Sequence, residues 1–127
     1  MSRAFLYFCG LLYLGFGLWV LLSPESGLAY LGTDLAHVNA LSDLRGSHGG
    51  LNVAVGLFLI YAAGAPAWHR SGLFLVGLMN LGYFGGRVVA VVADGMPDGI
   101  VPSVMVLELV LFVLAFALAR QASHAAA

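Results

Sequence analysis

The chain has 127 residues, of which 61% are hydrophobic and 9% are charged, whereas a soluble domain carries about 25% charged residues. A soluble core of this size could not bury so much apolar surface, so the composition indicates one integral membrane domain over residues 1–127. A net charge of −1 without any lysine argues against a basic nucleic-acid-binding surface, and the single cysteine excludes an intramolecular disulfide and a cysteine-based metal motif.

The first apolar segment predicts a membrane-spanning helix over residues 4–22. It should end before Pro24, because proline disfavours helical geometry in the residue that precedes it. The segment is longer than the apolar part of a signal peptide, and no small-x-small cleavage pattern follows it. We therefore interpret it as a retained span.

The connection over residues 23–41 is too long for a simple turn between two helices. Its apolar residues recur at intervals of three and four, and Thr33 or Asp34 can cap a helix N-terminus. We predict a short amphipathic helix here that lies on the membrane surface. The apolar positions of this helix are Leu28, Leu31, Leu35 and Val38.

The second span is predicted over residues 43–63. The apolar run over residues 51–63 is too short to cross about 30 Å at 1.5 Å per residue, so the preceding motif SDLRGSHGG, at 42–50, has to enter the membrane. The third and fourth spans are predicted over residues 71–93 and 102–119. These runs are too long for strands, and the expected fold is an all-α four-helix bundle made of two helical hairpins.

The arginines outside the spans predict the orientation. They belong to the N-terminus, the second loop and the C-terminus, whereas the acidic residues belong to the first and third loops. The positive-inside rule then predicts a multi-pass protein of the bacterial inner membrane with both termini in the cytoplasm. The arginines are Arg3, Arg70 and Arg120, and the acidic residues are Glu25, Asp34, Asp94 and Asp98.

Polar residues of three spans are expected to converge in the outer half of the membrane. An unpaired charge at the bilayer centre costs roughly 2.5 to 3.5 kcal/mol, so the charged members should pair. If Glu108 bridges Arg45 and Arg87, one positive charge is left over unless an acid or an anionic ligand balances it. The predicted ligand-binding or ion-pair cluster comprises Asp43, Arg45, His48, Asn52, Asn80, Arg87, Asp94 and Glu108.

Small residues recur every four positions on another face of two spans. Such ladders let helix backbones approach closely in lipid, so they predict helix–helix contacts. The ladder of the second span is Ser42, Gly46, Gly50 and Ala54, and that of the third span is Gly82, Gly86 and Ala90.

Several of these residues also have structural interpretations. The arginines and Glu108 can form a clamp that fixes helix order, and Asp43 can complement a helix dipole. His48 can ligate a flat macrocycle or be a hydrogen-bonded helix histidine. Asn80 can be an interhelical hydrogen-bond peg. The aromatic residues near the span ends are expected to anchor the helices at the interface; they are Trp19, Tyr30, Tyr61 and Trp68.

The motifs NALSDLRGSHGG at 39–50 and GGRVVAVVADGMPDG at 85–99, together with Glu108, give the chain a family resemblance. It resembles a bacterial family of four-helix inner-membrane proteins catalogued as a domain of unknown function. The resemblance spans nearly the whole chain. It implies the four-helix fold and the choice of site, and it implies no activity or cofactor.

Three functions fit this cluster. The first is binding of a polar or anionic head group of a lipid, quinone or small acid, or docking to a larger membrane complex. The second is proton-coupled transport through Glu108, for which a homodimer would line the pathway. The third is a membrane enzyme that uses His48 and Glu108 as acid and base. The first is favoured because the inner half is nearly all apolar, whereas transport needs polar residues in both leaflets.

Overall fold

The computed structural model describes residues 1–29, 32 and 37–124, which form helices and no strand. Four long helices are each long and apolar enough to cross a membrane, which confirms the predicted all-α four-span fold. A 3₁₀ turn over Pro66–Trp68 precedes the third of them. The helices are α1 (Ser2–Leu22), α2 (Pro24–Gly27), α3 (Val38–Gly64), α4 (His69–Asp94) and α5 (Val101–His124).

Helix α3 begins five residues earlier than the sequence predicts. His37 has an extended backbone and its Nδ1 atom accepts a hydrogen bond from the Asn39 N–H at 3.3 Å, which caps the helix. The predicted surface helix depends on Leu31, Thr33, Asp34 and Leu35, which lie outside the described residues. In the described part of that connection, the short helix α2 ends at Gly27.

The helices form two hairpins, α1 with α3 and α4 with α5, as predicted. We call these the first and second hairpin. Because the four spans alternate in direction, the start of α1 and the end of α5 lie at one end of the molecule, which we call the termini end. The opposite end is the far end. Helix α1 packs against α3, and α4 packs against α5, along most of their lengths.

Glycine allows α1 and α3 to pack with their backbones in contact. A methyl group on Gly17 would lie 2.6 Å from the Val53 nitrogen, and one on Gly56 would lie 2.6 Å from the Leu14 nitrogen. The predicted ladders are wrong at Gly46 and Gly82, where an added methyl group would meet no atom within 4 Å. For Gly46, the four-residue spacing presumes a regular helix, whereas Arg45–Gly50 is a π-helical segment, whose wider turns change the face that meets α1. Gly82 lies in the regular helix α4, on a face that packs closely against no described neighbour.

The buried apolar core that joins the two hairpins lies in the termini half of the molecule. Toward the far end, apolar side chains of α4 face outward instead: Val89 is 67% exposed and Val92 is 84% exposed. Lipid therefore has direct access to the far half of the second hairpin. Core residues include Leu6, Cys9, Leu59, Leu73, Val76, Leu111 and Ala115.

Candidate functional site

The two arginines of the predicted cluster and Glu108 lie at similar distances from the far end. Arg45 follows Val38, the first residue of α3, by seven positions. Arg87 precedes the last residue of α4, and Glu108 follows the first residue of α5, by the same number. Each residue is therefore about 10 Å along its helix from the far end.

Arg87 and Glu108 form an ion pair between α4 and α5. The Arg87 Nε atom lies 3.0 Å from Glu108 Oε1 and 3.1 Å from Oε2, so a single N–H is shared by both carboxylate oxygens. The Glu108 side chain is only 8% exposed, whereas that of Arg87 is 24% exposed. Within the described residues, neither Nη atom of Arg87 has a hydrogen-bond partner. Glu108 therefore holds the guanidinium group through Nε and leaves the Nη donors of Arg87 available for a further acceptor.

Arg45 does not join this pair, so the prediction that Glu108 bridges both arginines is wrong for Arg45. Its Nη1 atom donates to the Leu21 carbonyl oxygen at 2.5 Å, and its side chain is exposed. Leu21 lies in the last turn of α1, where carbonyl groups lack a donor within the helix and carry partial negative charge. Arg45 thus caps α1 within the first hairpin, whereas Arg87 and Glu108 belong to the second.

The last six residues of the motif SDLRGSHGG form the π-helical segment, Arg45–Gly50. Ser47 Oγ donates to the Asp43 carbonyl oxygen at 2.8 Å and lies 2.9 Å from His48 Nδ1. The Asn52 amide donates to the His48 carbonyl oxygen at 2.8 Å. These contacts hold His48 and Asn52 within their own helix and support the interpretation of His48 as a hydrogen-bonded helix histidine.

Asn80 connects the two hairpins at mid-depth. Its Nδ2 atom donates to the Tyr13 hydroxyl group at 3.0 Å and to the Val76 carbonyl oxygen at 2.8 Å, and the residue is 2% exposed. This geometry matches the interhelical peg that the sequence offered as one interpretation. Tyr13 is not among the residues predicted for the cluster. The signal was its position at the middle of α1, because a phenol in the apolar part of a bilayer needs a polar partner.

The predicted cluster of eight residues is therefore dispersed. Arg87 and Glu108 form the one ion pair among the residues that the structure describes. Asp43 and Asp94 are exposed and make no such pair. The physical reason is the hairpin architecture: the buried core joins the hairpins in the termini half, so residues at equal depth in the far half do not automatically meet.

Within residues 1–29, 32 and 37–124, no group of three or more histidine, cysteine, aspartate or glutamate side chains could hold a metal ion. No curated protein and no solved structure matches the chain. A family model does match, over residues 1–119, and its description is "Domain of unknown function (DUF4345)". Because the match covers nearly the whole length, the chain belongs to the DUF4345 family.

Proposed function

We propose that the protein binds the polar or anionic head group of a membrane lipid or quinone through Arg87 and Glu108. In this proposal the protein resides in a bacterial inner membrane, with the termini end in the cytoplasm and the far end toward the periplasm. The positions of Arg3, Arg70 and Arg120 at the termini end support this orientation. The head group would then belong to the periplasmic leaflet.

The observation that carries the proposal is the unused hydrogen-bonding capacity of Arg87. Its Nε atom contacts Glu108, whereas both Nη atoms are without a partner in the described structure. A guanidinium group in a membrane is stable only when acceptors surround it. Arg87 lies about 10 Å along α4 from the far end, a position from which an arginine side chain can extend toward the head groups.

The ion pair also suits binding because it fixes the guanidinium group before the ligand arrives. Two Nη groups side by side match two oxygens of a phosphate or a carboxylate. Since Glu108 neutralises Arg87, the pair as a whole has no net charge. The ligand therefore needs acceptor oxygens more than it needs a full negative charge, and lipid phosphates and quinone carbonyls both provide them.

The same structure gives less support to the transport and enzyme hypotheses. From the Arg87–Glu108 pair toward the termini end, the described interior contains Asn52, bonded within its own helix, the bonded pair of Tyr13 and Asn80, and then the apolar core. His48 contacts Ser47 on its own helix, and its described hydrogen bonds do not include Glu108. A head-group site requires neither a polar path through the core nor a contact between His48 and Glu108.

Native mass spectrometry of the purified protein tests this function. The double variant Arg87→Gln/Glu108→Gln keeps an amide hydrogen bond between α4 and α5 but removes the guanidinium group. We expect retention of lipid or quinone to fall roughly tenfold, because a hydrogen bond to a charged group contributes about 1.5–3 kcal/mol.

Arg120→Gln is the matched control, because it removes an exposed arginine at the termini end. This variant should retain the same bound molecules as the wild-type protein. Equal retention by the wild-type protein, the double variant and the control would exclude Arg87 as the head-group ligand.

A further inference from the structure

A polar cleft lies at the far end of the first hairpin, beside the corner where α1 turns into α2. Its volume is about 340 Å³, near the lower limit of the roughly 300–1,000 Å³ that small-molecule sites occupy. It is lined by residues that include Leu22, Ser23, Glu25, Ser26, Leu41 and Arg45. The cleft belongs to the first hairpin, whereas the Arg87–Glu108 pair belongs to the second.

Opposite charges line this cleft without neutralising each other. Glu25 and Arg45 both contribute to its wall, but they form no ion pair within 4.0 Å; the described ion pair is Arg87–Glu108. Arg45 uses Nη1 to bind the Leu21 carbonyl oxygen, and its other N–H groups have no partner among the described residues. A cation and an anion that line one cleft without forming an ion pair are complementary to a zwitterion.

Hydrogen bonds fix the wall that carries Glu25. The Trp19 indole N–H donates to Ser26 Oγ at 3.0 Å, and Ser26 Oγ donates to the Ser23 carbonyl oxygen at 3.1 Å. The bond from Arg45 to Leu21 holds the opposite wall against the end of α1. The Arg45 guanidinium group and the backbone turn that carries Glu25 are therefore positioned by contacts that do not involve a ligand, which lowers the entropic cost of binding one.

The level of the cleft relative to the bilayer indicates the source of the zwitterion. Helix α1 has 21 residues, so it is about 31 Å long and matches a hydrocarbon core of about 30 Å. Leu22, its last residue, then lies at the edge of the hydrocarbon, where lipid phosphates begin. Trp19, which is 53% exposed near this end, is at the depth that interfacial tryptophans prefer.

We propose that this cleft binds a phospholipid head group that carries both a phosphate and a primary ammonium group, as phosphoethanolamine does. The Arg45 guanidinium group donates to phosphate oxygens, and the Glu25 carboxylate accepts hydrogen bonds from the ammonium group. A choline head group has no N–H to donate, and a glycerol head group has no cation. This site does not rest on the function proposed for Arg87 and Glu108.

The first test needs no variant. The wild-type protein is offered equimolar phosphatidylethanolamine, its N-methylated and N,N-dimethylated forms, phosphatidylcholine and phosphatidylglycerol with identical acyl chains, and the bound lipid is identified by native mass spectrometry. Each methyl group removes one N–H donor, so retention should fall along the series and be lowest for phosphatidylcholine. Equal retention of all five lipids would overturn the proposal.

The second test compares Glu25→Gln with Asp98→Asn, which removes an exposed acid from the α4–α5 loop at the same end of the molecule. We expect Glu25→Gln to reduce the preference for phosphatidylethanolamine over phosphatidylcholine roughly three- to tenfold. Asp98→Asn should retain that preference. If both variants match the wild-type protein, Glu25 does not bind the ammonium group and the assignment is wrong.

Two further measurements distinguish a lipid from a soluble ligand, and the cleft of the first hairpin from the Arg87–Glu108 pair. A wild-type protein that shows no lipid preference but binds soluble phosphoethanolamine, as measured by NMR shifts, would overturn lipid as the source. The variant Arg87→Gln/Glu108→Gln should keep the ethanolamine preference, since it leaves the first hairpin unchanged. Loss of the preference in that variant would show that the measured lipid binds at the second hairpin.

Discussion

Glu108 is a nearly buried acid whose only described partner is Arg87. Replacing Arg87 by methionine would leave the carboxylate uncompensated in a membrane, which should destabilise the protein by about 2–3 kcal/mol. This value is below the usual 3–5 kcal/mol for a broken buried pair because the Arg87 side chain is 24% exposed. The double variant Arg87→Met/Glu108→Met should recover part of that loss.

The measurement for this pair is a double-mutant cycle in detergent, with Glu108→Met as the second single variant. A coupling free energy of at least about 1 kcal/mol is expected for two residues in direct contact. Additive effects of the two single substitutions would show that the ion pair contributes nothing to stability beyond the separate side chains.

Tyr13 and Asn80 provide a second prediction at the residue scale. Tyr13→Phe removes the hydroxyl group that accepts the Asn80 N–H across the two hairpins, and should lower the free energy of unfolding by about 0.6–2 kcal/mol. Tyr61→Phe is the matched control, since Tyr61 is exposed and its ring contact with Trp68 does not need the hydroxyl group. Equal unfolding curves for the two variants in a denaturant titration would contradict the peg interpretation.

How far single residues could be predicted depends on the kind of partner they have. The Arg87–Glu108 contact follows from helix direction and depth, which the sequence provides. The partner of Arg45 is a backbone carbonyl group at the end of α1, and a search for pairs of charged side chains does not consider such acceptors. The role of Tyr13 does not follow from the interfacial preference of aromatic residues, because Tyr13 lies at the middle of its helix and its partner is on another hairpin.

At the scale of elements, the first hairpin depends on the closeness of two backbones. Gly56→Ala would place a methyl group 2.6 Å from the Leu14 nitrogen, and a backbone atom cannot move aside as a flexible side chain can. The helices must separate there, and we expect a destabilisation of about 1–3 kcal/mol, measured by thermal unfolding in detergent.

The control for this prediction is Gly82→Ala, where the added methyl group meets no atom within 4 Å. Alanine is favoured over glycine in a helix by up to about 1 kcal/mol, so this variant should be as stable as the wild-type protein or more stable. A larger loss of stability in Gly82→Ala than in Gly56→Ala would mean that α1 and α3 do not pack as described.

Helix type and number were predictable because long apolar runs in this composition leave no other fold that satisfies the backbone in lipid. The start of α3 was not predictable, because in a single sequence a histidine that caps a helix cannot be distinguished from any other loop histidine. The wrong small-residue ladder has a related cause. The spacing of Gly46 and Gly50 indicates one helix face only in a regular helix, and the wider turns of the π-helical segment Arg45–Gly50 break the 3.6-residue period.

At the scale of the whole molecule, apolar content and helix direction predict two hairpins whose termini share one end. They do not predict which side chains of different hairpins meet, because that depends on where the hairpins pack together. The core residues that join them extend from Leu6 to Tyr13 on α1 and from Leu73 to Val76 on α4. The far half therefore contains two separate candidate sites, an ion pair between α4 and α5 and a cleft at the end of α1.

The position of that core has a mechanical consequence. Two hairpins joined near one end behave as a pair of levers, with the core as the pivot. The lateral pressure of the surrounding leaflet therefore has its largest effect at the far end, which lies at the greatest distance from the core. Val89 and Val92 face the lipid there. A change in acyl-chain packing in that leaflet would alter the separation of α3 and α4 there far more than it would alter the packing around Leu73.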